Sequence, residues 1–214
     1  PGSYFISLIT AWFLNELSPR ARSIVTFIFY APSISGNAML VWTLAFSGDS
    51  YGYVNGWLMK LGIISEPILW FTNTKYIMPL CIVVSLWMSL GTSFLAFIAG
   101  FQGINHDMYE AAAIDGIKNR WQELWYVTLP SMKPQLMFGA VMAITGAFNF
   151  GGVVESLAGN PTTDYCAYTL TMHLNEYSGV RWEVGYASAI AFIMFLLMFG
   201  SNMLIHKLLS KVGQ

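Results

Sequence analysis

Long apolar runs broken by shorter polar stretches set the pattern of this chain. Residues 24–46, 76–100, 134–150 and 184–206 are apolar and carry no Asp, Glu, Lys or Arg. Their lengths approach or exceed the roughly 20 residues that a helix needs to cross a bilayer. A further apolar run, 3–16, stops at Glu16 and is shorter than a full span. The pattern predicts an all-α, polytopic helical membrane protein, a single transmembrane domain over 1–214. The run 3–16 reads as the tail of a helix begun upstream. The chain opens at Pro1, already in apolar sequence, and so reads as a piece whose first part is missing.

Three polar stretches separate the whole spans. Segment 47–75 holds the breakers Gly52, Asn55, Gly56 and Gly62, with a short surface helix expected over 57–64. Segments 101–133 and 151–183 are the other two. Pro32 and Gly36 fall inside the span 24–46, where Ser33 and Ser35 are at hand for a freed carbonyl.

Composition agrees with the pattern. The chain is 56% hydrophobic and 10% charged, against about 25% charged in soluble domains. A net charge of −1 gives no indication of nucleic acid as a partner. Cys81 and Cys166 have no metal-site spacing, and Cys81 reads as apolar filler within a span. The basic residues then orient the chain. With 101–133 in the cytoplasm, that side holds seven of them: Arg20, Arg22, Lys118, Arg120, Lys133, Lys207 and Lys211. The opposite side holds three, Lys60, Lys75 and Arg181. The segment 101–133 and the C-terminus are therefore expected to be cytoplasmic.

Residues 110–130, EAAAIDGIKNRWQELWYVTLP, form the most polar long segment. Asp107 is placed to cap a helix, with Glu110 as its capping-box partner. Ala111, Ala112 and Ala113 favour that helix and leave a face without bulk. Gly116 accepts a left-handed conformation and ends it. Asn119 then starts a second helix with Trp121, Leu124, Trp125 and Thr128 on one face, and Leu129 and Pro130 close it. Two short helices about a glycine hinge suit docking into a partner's groove. The same residues suit a plain capped helix whose tryptophans rest on lipid head groups, and composition alone leaves both readings open.

Glu110, Ala111, Ala112, Asp115 and Gly116, followed by Val127, Leu129 and Pro130, resemble the EAA loop of permease subunits of binding-protein-dependent ABC importers. This chain has one residue more between Gly116 and the Leu-Pro ending than the common form. Beyond the loop, the likeness to the carbohydrate-uptake (maltose-type) branch rests on several smaller matches. They are the region 22–55 with Trp42, Gly52 and Asn55; Gly159, Asn160 and Pro161, where Asn160 replaces a usual Gly; Thr169 and Leu170; and the run 185–189. The resemblance implies a type I permease fold and a partner ATPase docked on Glu110, Ala111, Ala112, Asp115, Gly116, Leu129 and Pro130. It also implies a second permease subunit, a pair of ATPase subunits that hold ATP and Mg, an extracellular or periplasmic solute-binding protein, and a bacterial-type cytoplasmic membrane. On this reading the chain itself binds no cofactor or metal and is not an enzyme; it has no Gly-Lys-Ser/Thr phosphate loop.

The spans carry hydroxyls and amides in place of charges. Ser85, Ser89 and Thr92 fall on one helical stripe, and Thr145 and Asn149 are four apart with Phe148 beside them. Such groups bond sugar hydroxyls, and an aromatic ring packs on a sugar's apolar face. Small polar residues at this spacing also serve helix packing, which is their commoner use. The resemblance places substrate contacts in these regions. The chain is thus read as a permease subunit importing a sugar or oligosaccharide. An amino-acid or peptide permease is the first alternative. An ion-coupled secondary transporter ranks lower, because no acidic residue lies within a whole span. A membrane enzyme also ranks lower: His106, Asp107 and Glu110 are close in sequence, but His173 and His206 lie elsewhere.

Overall fold

Thirteen helices follow one another in the computed structural model, which describes residues 2–35 and 38–210. They are α1 Gly2–Asn15, α2 Pro19–Ile34, α3 Ala38–Ala45, α4 Tyr53–Lys60, α5 Thr74–Met88, α6 Thr92–Gln102, α7 His106–Ile114, α8 Arg120–Glu123, α9 Leu129–Ser131, α10 Lys133–Phe148, α11 Phe150–Ala158, α12 Leu170–Asn175 and α13 Val184–Leu209. Two π turns, Leu124–Thr128 and Glu176–Val180, and a 3₁₀ turn complete the order; no strand occurs among the described residues. Gly36 and Lys211, named above for the span 24–46 and the C-terminal tail, lie outside the described residues.

The expected spans are more broken than their hydropathy indicates. Span 24–46 falls in α2 and α3. Span 76–100 is interrupted at 89–91, where Gly91 leaves the helical region (φ −120°, ψ −122°). After α10, Asn149 (φ −88°, ψ 4°) makes a second break. The segment 151–158, expected in a polar loop, is instead helical as α11. The short helix expected over 57–64 forms earlier, at Tyr53–Lys60. By length and composition, α13 alone among the described residues is a span by itself. The pairs α5 with α6 and α10 with α11 meet the same test as bent pairs.

Contacts divide the chain into two compact units. The first comprises the described residues of Pro1–Ala31, Ser89–Gly146 and Leu197–Gln214. Here α1 lies along α6. Ser7, Ala11 and Leu14, at i, i+4 and i+7, are buried on one face of α1. The small side chains of Ser7 and Ala11 let Phe94, Phe97, Ile98 and Phe101 of α6 pack close, with Leu14, Met132 and Leu136 completing the core. The helix α10 approaches α6 through Gly139, where a Cβ would stand 2.3 Å from Phe97 Cζ. Ser93 Oγ donates to the Gly139 carbonyl at 3.3 Å across the same contact.

The second unit comprises Pro32–Met88 and Ala147–Leu196. Ile77, Cys81 and Val84 of α5 pack on Val154 and Leu157 of α11 and on Met172 of α12. Cys81 is fully buried there. The loop between α3 and α5 is organised by one side chain, the fully buried Asn55. Its Nδ2 donates to the carbonyls of Ser47, Asp49 and Ile68, and its Oδ1 accepts from the Ile68 amide and from Trp70 Nε1 at 2.9 Å.

A second knot holds the loop before α13. Arg181 donates to Glu176 Oε1 through Nε (2.8 Å) and Nη2 (2.6 Å), and the Tyr168 hydroxyl donates to the other carboxylate oxygen. The Arg181 guanidinium also lies 4.7 Å over the Tyr177 ring, which packs on His173 and Tyr186. The Tyr168 hydrogen bond, then Arg181, hold the Glu176 carboxyl below its ordinary value. Burial, followed by that carboxylate, pushes Tyr168 up to about 12.

Two outcomes are expected from these knots. Replacing Asn55 by Leu strands several buried amide and carbonyl groups, each costing about 1–3 kcal/mol. Purified Asn55→Leu protein should therefore unfold at lower temperature and be cleaved between α3 and α5 by protease concentrations that spare the native chain. Because Glu176 is depressed in the folded chain, its contribution is fully present above the ordinary value of 4.5 and is lost as pH falls through the lower folded value. Amide exchange in Leu170–Asn175 and the following π turn should hold steady from neutral pH down to 4.5, after correction for intrinsic rates. It should rise below that, and Glu176→Gln should remove the rise.

Candidate functional site

The polar loop between α6 and α10 is built from caps. Asn105, in extended conformation, starts α7, and its Oδ1 accepts from the Asp107 amide at 3.2 Å. The cap is thus Asn105 and not Asp107, whose carboxylate accepts from Asn105 Nδ2 at 3.0 Å. Glu110 does not complete a capping box. It reaches one turn back to His106 Nδ1 at 3.2 Å, and both side chains are largely exposed.

The end of α7 is a full Schellman motif. Gly116 has φ +95°, its amide donates to the Ala113 carbonyl, and the Ile117 amide donates to the Ala112 carbonyl. A glycine is required there because other residues pay a steric penalty at such a φ. Asp115 is the last residue before the turn, in right-handed conformation. Ala112 is buried, whereas Ala111, Ala113 and Ile114 face outward, Ile114 at 87% exposure.

Asn119 begins the second helix as expected. Its Oδ1 accepts from the amides of Trp121 and Gln122, and Gln122 Oε1 accepts from the Lys118 amide at 3.1 Å. The expected single face of Trp121, Leu124, Trp125 and Thr128 is not realised. After one turn, α8 widens into the π turn Leu124–Thr128. A π turn holds one residue more than an α turn. The widening turns Val127 and Thr128 inward, while Trp125 and Tyr126 stay exposed. Thr128 Oγ1 donates to the Glu123 carbonyl five residues back, and the Tyr109 hydroxyl is 3.1 Å from the same Oγ1, so α7 is tied to the π turn. Burial raises the Tyr109 pKa. Leu129 and Pro130 open α9, and Leu129 packs against the first unit's core. An open groove of about 580 Å³ runs between α7 and the π turn, floored by Ala112 and Val127 and edged by Asp115 and Pro130.

The second helix is also held from outside the loop. Arg120 donates from Nη1 to Glu123 (3.0 Å) and from Nη2 to Glu16 (3.1 Å). The Glu123 hydrogen bond, then the charges of Glu123 and Glu16, raise its pKa. Trp121 packs on Trp12 with ring centroids 4.9 Å apart. Sequence reasoning missed Glu16 and Trp12, because no local pattern announces a partner about a hundred residues away, and it missed Tyr109, whose partner Thr128 lies on a different helical segment.

The mid-span polar residues are distributed differently from the expected stripe. Ser85 is half-buried in α5, Ser89 lies in the break, and Thr92 is exposed at the start of α6, so no continuous helix carries all three. Thr145 bonds its hydroxyl to the Val141 carbonyl at 3.0 Å. The Phe148 carbonyl accepts from Thr171 Oγ1 at 2.7 Å, and Asn149 is exposed at the break after α10.

Curated relatives share most of this chain. It is 31% identical over 198 residues to the probable ABC transporter permease protein YesP of Bacillus subtilis (strain 168), covering 90% of this chain and 62% of that protein. It is 28% identical over 195 residues to the arabinooligosaccharides transport system permease protein AraP of the same strain, covering 90% of this chain and 61% of that protein. With the lactose transport system permease protein LacF of Rhizobium radiobacter it shares 27% over 201 residues, covering 90% of this chain and 65% of that protein. The chain therefore spans about three-fifths of the length of these relatives. Among solved structures, it superposes over its full length on 73% of a chain from a bacterial ABC transporter involved in the import of the acidic polysaccharide alginate. The TM-score is 0.77 at 22% identity, which shows a shared fold. Residues 3–213 match the model of one family across nearly the whole chain, and the protein belongs to that family, the binding-protein-dependent transport system inner membrane components.

Proposed function

We propose that this chain is the membrane-spanning permease subunit of an ATP-driven importer, and that its solute is a sugar or oligosaccharide delivered by an extracellular binding protein. The observation that carries this reading is the loop from Asn105 to Pro130. It is a capped, glycine-hinged pair of short helices that exposes Ile114, Trp125 and Tyr126 and also the carboxylate of Glu110. Exposed apolar side chains gathered on a polar loop mark a contact surface. The relatives named for arabinooligosaccharides and lactose support the choice of a carbohydrate.

On this reading the loop faces the cytoplasm and docks on one of two ATPase subunits. Those subunits hold ATP and Mg, and the chain itself catalyses no reaction. Glu110 pairs with a basic group of the ATPase, and Ala111 supplies a face without bulk. Gly116 sets the angle between the two helices, while Asp115, Leu129 and Pro130 fix its ends. Closure of the ATPase pair displaces the loop as one piece. Packed helices then exchange between discrete inward-open and outward-open arrangements, because a close-packed interior does not deform continuously. A second permease subunit completes the pathway in the cytoplasmic membrane, and the loops 47–75 and 151–183 meet the binding protein. The polar groups offered to the solute are those of Ser85, Ser89, Thr92, Thr145 and Asn149, with the Phe148 ring beside the last.

Co-purification in mild detergent tests the loop. The complete subunit, expressed with its permease partner and ATPase, should retain the ATPase. Glu110→Lys and Gly116→Val should lose about tenfold or more of it while still inserting, since Val at a positive φ is strained by about 1–3 kcal/mol. Equal retention by all three would return the loop to a capped surface helix. For the solute path, Asn149→Leu should lower uptake of a bound oligosaccharide about tenfold without changing ATPase retention, as loss of a hydrogen bond to a buried polar ligand predicts. Unchanged uptake would assign Asn149 to packing.

A further inference from the structure

We propose that Arg120 is a positioning residue that locks the polar loop to α1, so that loop and helix move as one body when the ATPase closes; this rests on the permease reading above. Arg120 and Trp121 are adjacent at the start of α8. They grip Glu16 and Trp12, which stand one turn apart at the end of α1. One guanidinium nitrogen binds Glu16 at 3.1 Å and the other binds Glu123 at 3.0 Å, so the fork spans the junction between α1 and the loop. A planar guanidinium fixes direction as well as distance, which an ammonium does not.

The receiving end is itself braced. Arg22, at the start of α2, donates from Nη2 to the carbonyls of Asn15 (2.9 Å) and Leu17 (3.3 Å), on either side of Glu16. These are carbonyls that the end of α1 leaves without helical partners. Along its length α1 then packs on α6 through Ser7, Ala11 and Leu14. A displacement of α8 therefore passes through two contacts into a helix that is close-packed on its neighbour.

Magnitude identifies the role. The Arg120, Glu16 and Glu123 side chains are 65%, 44% and 22% exposed. Ion pairs so placed add little to stability. What the fork supplies is orientation, and its removal should alter motion far more than folding.

The test is a distance measurement between spin labels at Ala113→Cys on α7 and Phe5→Cys on α1. The background carries Cys81→Ala and Cys166→Ser, and the assembled importer is in lipid nanodiscs with and without Mg-ATP. With the native Arg120, the distribution is narrow and unchanged by nucleotide. Arg120→Glu should broaden it about twofold or more under Mg-ATP, as exchange between held and released arrangements requires, with the ATPase still bound. Arg120→Lys should broaden it less. The double variant Glu16→Arg with Arg120→Glu places the guanidinium at the other end of the pair and should restore the narrow distribution. Distributions identical in the native and Arg120→Glu complexes, or no restoration by the double variant, overturn the link while leaving the importer reading intact. An ATPase that never joins the native complex overturns that reading and the link with it.

Discussion

A break in a helix frees amides and carbonyls, and a chain with 10% charged residues has few charged side chains with which to satisfy them. Several departures from helix among the described residues depend on meeting that demand. At the end of α7 the backbone does so alone, through the two hydrogen bonds of the Schellman turn at Gly116. At the starts of α7 and α8 a single asparagine does so, Asn105 and Asn119. Between α3 and α5 the one side chain of Asn55 serves three carbonyls, an amide and an indole. Asparagine recurs because its amide both donates and accepts and carries no charge to desolvate.

The same economy shapes the loop that faces the proposed partner. The caps at Asn105 and Asn119 and the turn at Gly116 are satisfied within the loop, so its surface is left for exposed side chains. Ile114, Trp125 and Tyr126 stand out from a framework held at both ends, by the Tyr109–Thr128 contact within the loop and by Arg120 and Trp121 on α1. A rigid loop with an apolar outer surface loses little conformational entropy on docking. It also transmits a displacement instead of absorbing it. The π turn belongs to this design, since it keeps Val127 and Thr128 buried.

Much of this was legible along the chain. Apolar runs read as helices because a helix satisfies its own backbone. Gly116 read as a hinge because few other residues accept its φ, and Asn119 read as a cap because its side chain reaches the next two amides. The single amphipathic face drawn through Trp121, Leu124, Trp125 and Thr128 failed, because a spacing argument assumes 3.6 residues per turn and the π turn abandons that period. The serine and threonine stripe failed for a related reason: Gly91 breaks the helix between Ser85 and Thr92. Hydropathy also ran past Asn149 without registering the helix that begins at Phe150, since a bend leaves no mark on an average over side chains.

By itself the sequence determined the class of the protein, the place of its polar loop and the hinge within it. These follow from transfer energies and local backbone sterics, which each residue carries wherever it is placed. The tertiary structure alone decided that Glu16 meets Arg120, that Trp12 meets Trp121 and that Gly139 admits Phe97. Those pairings join residues far apart in the chain, and no side chain specifies a distant partner until packing has excluded the others.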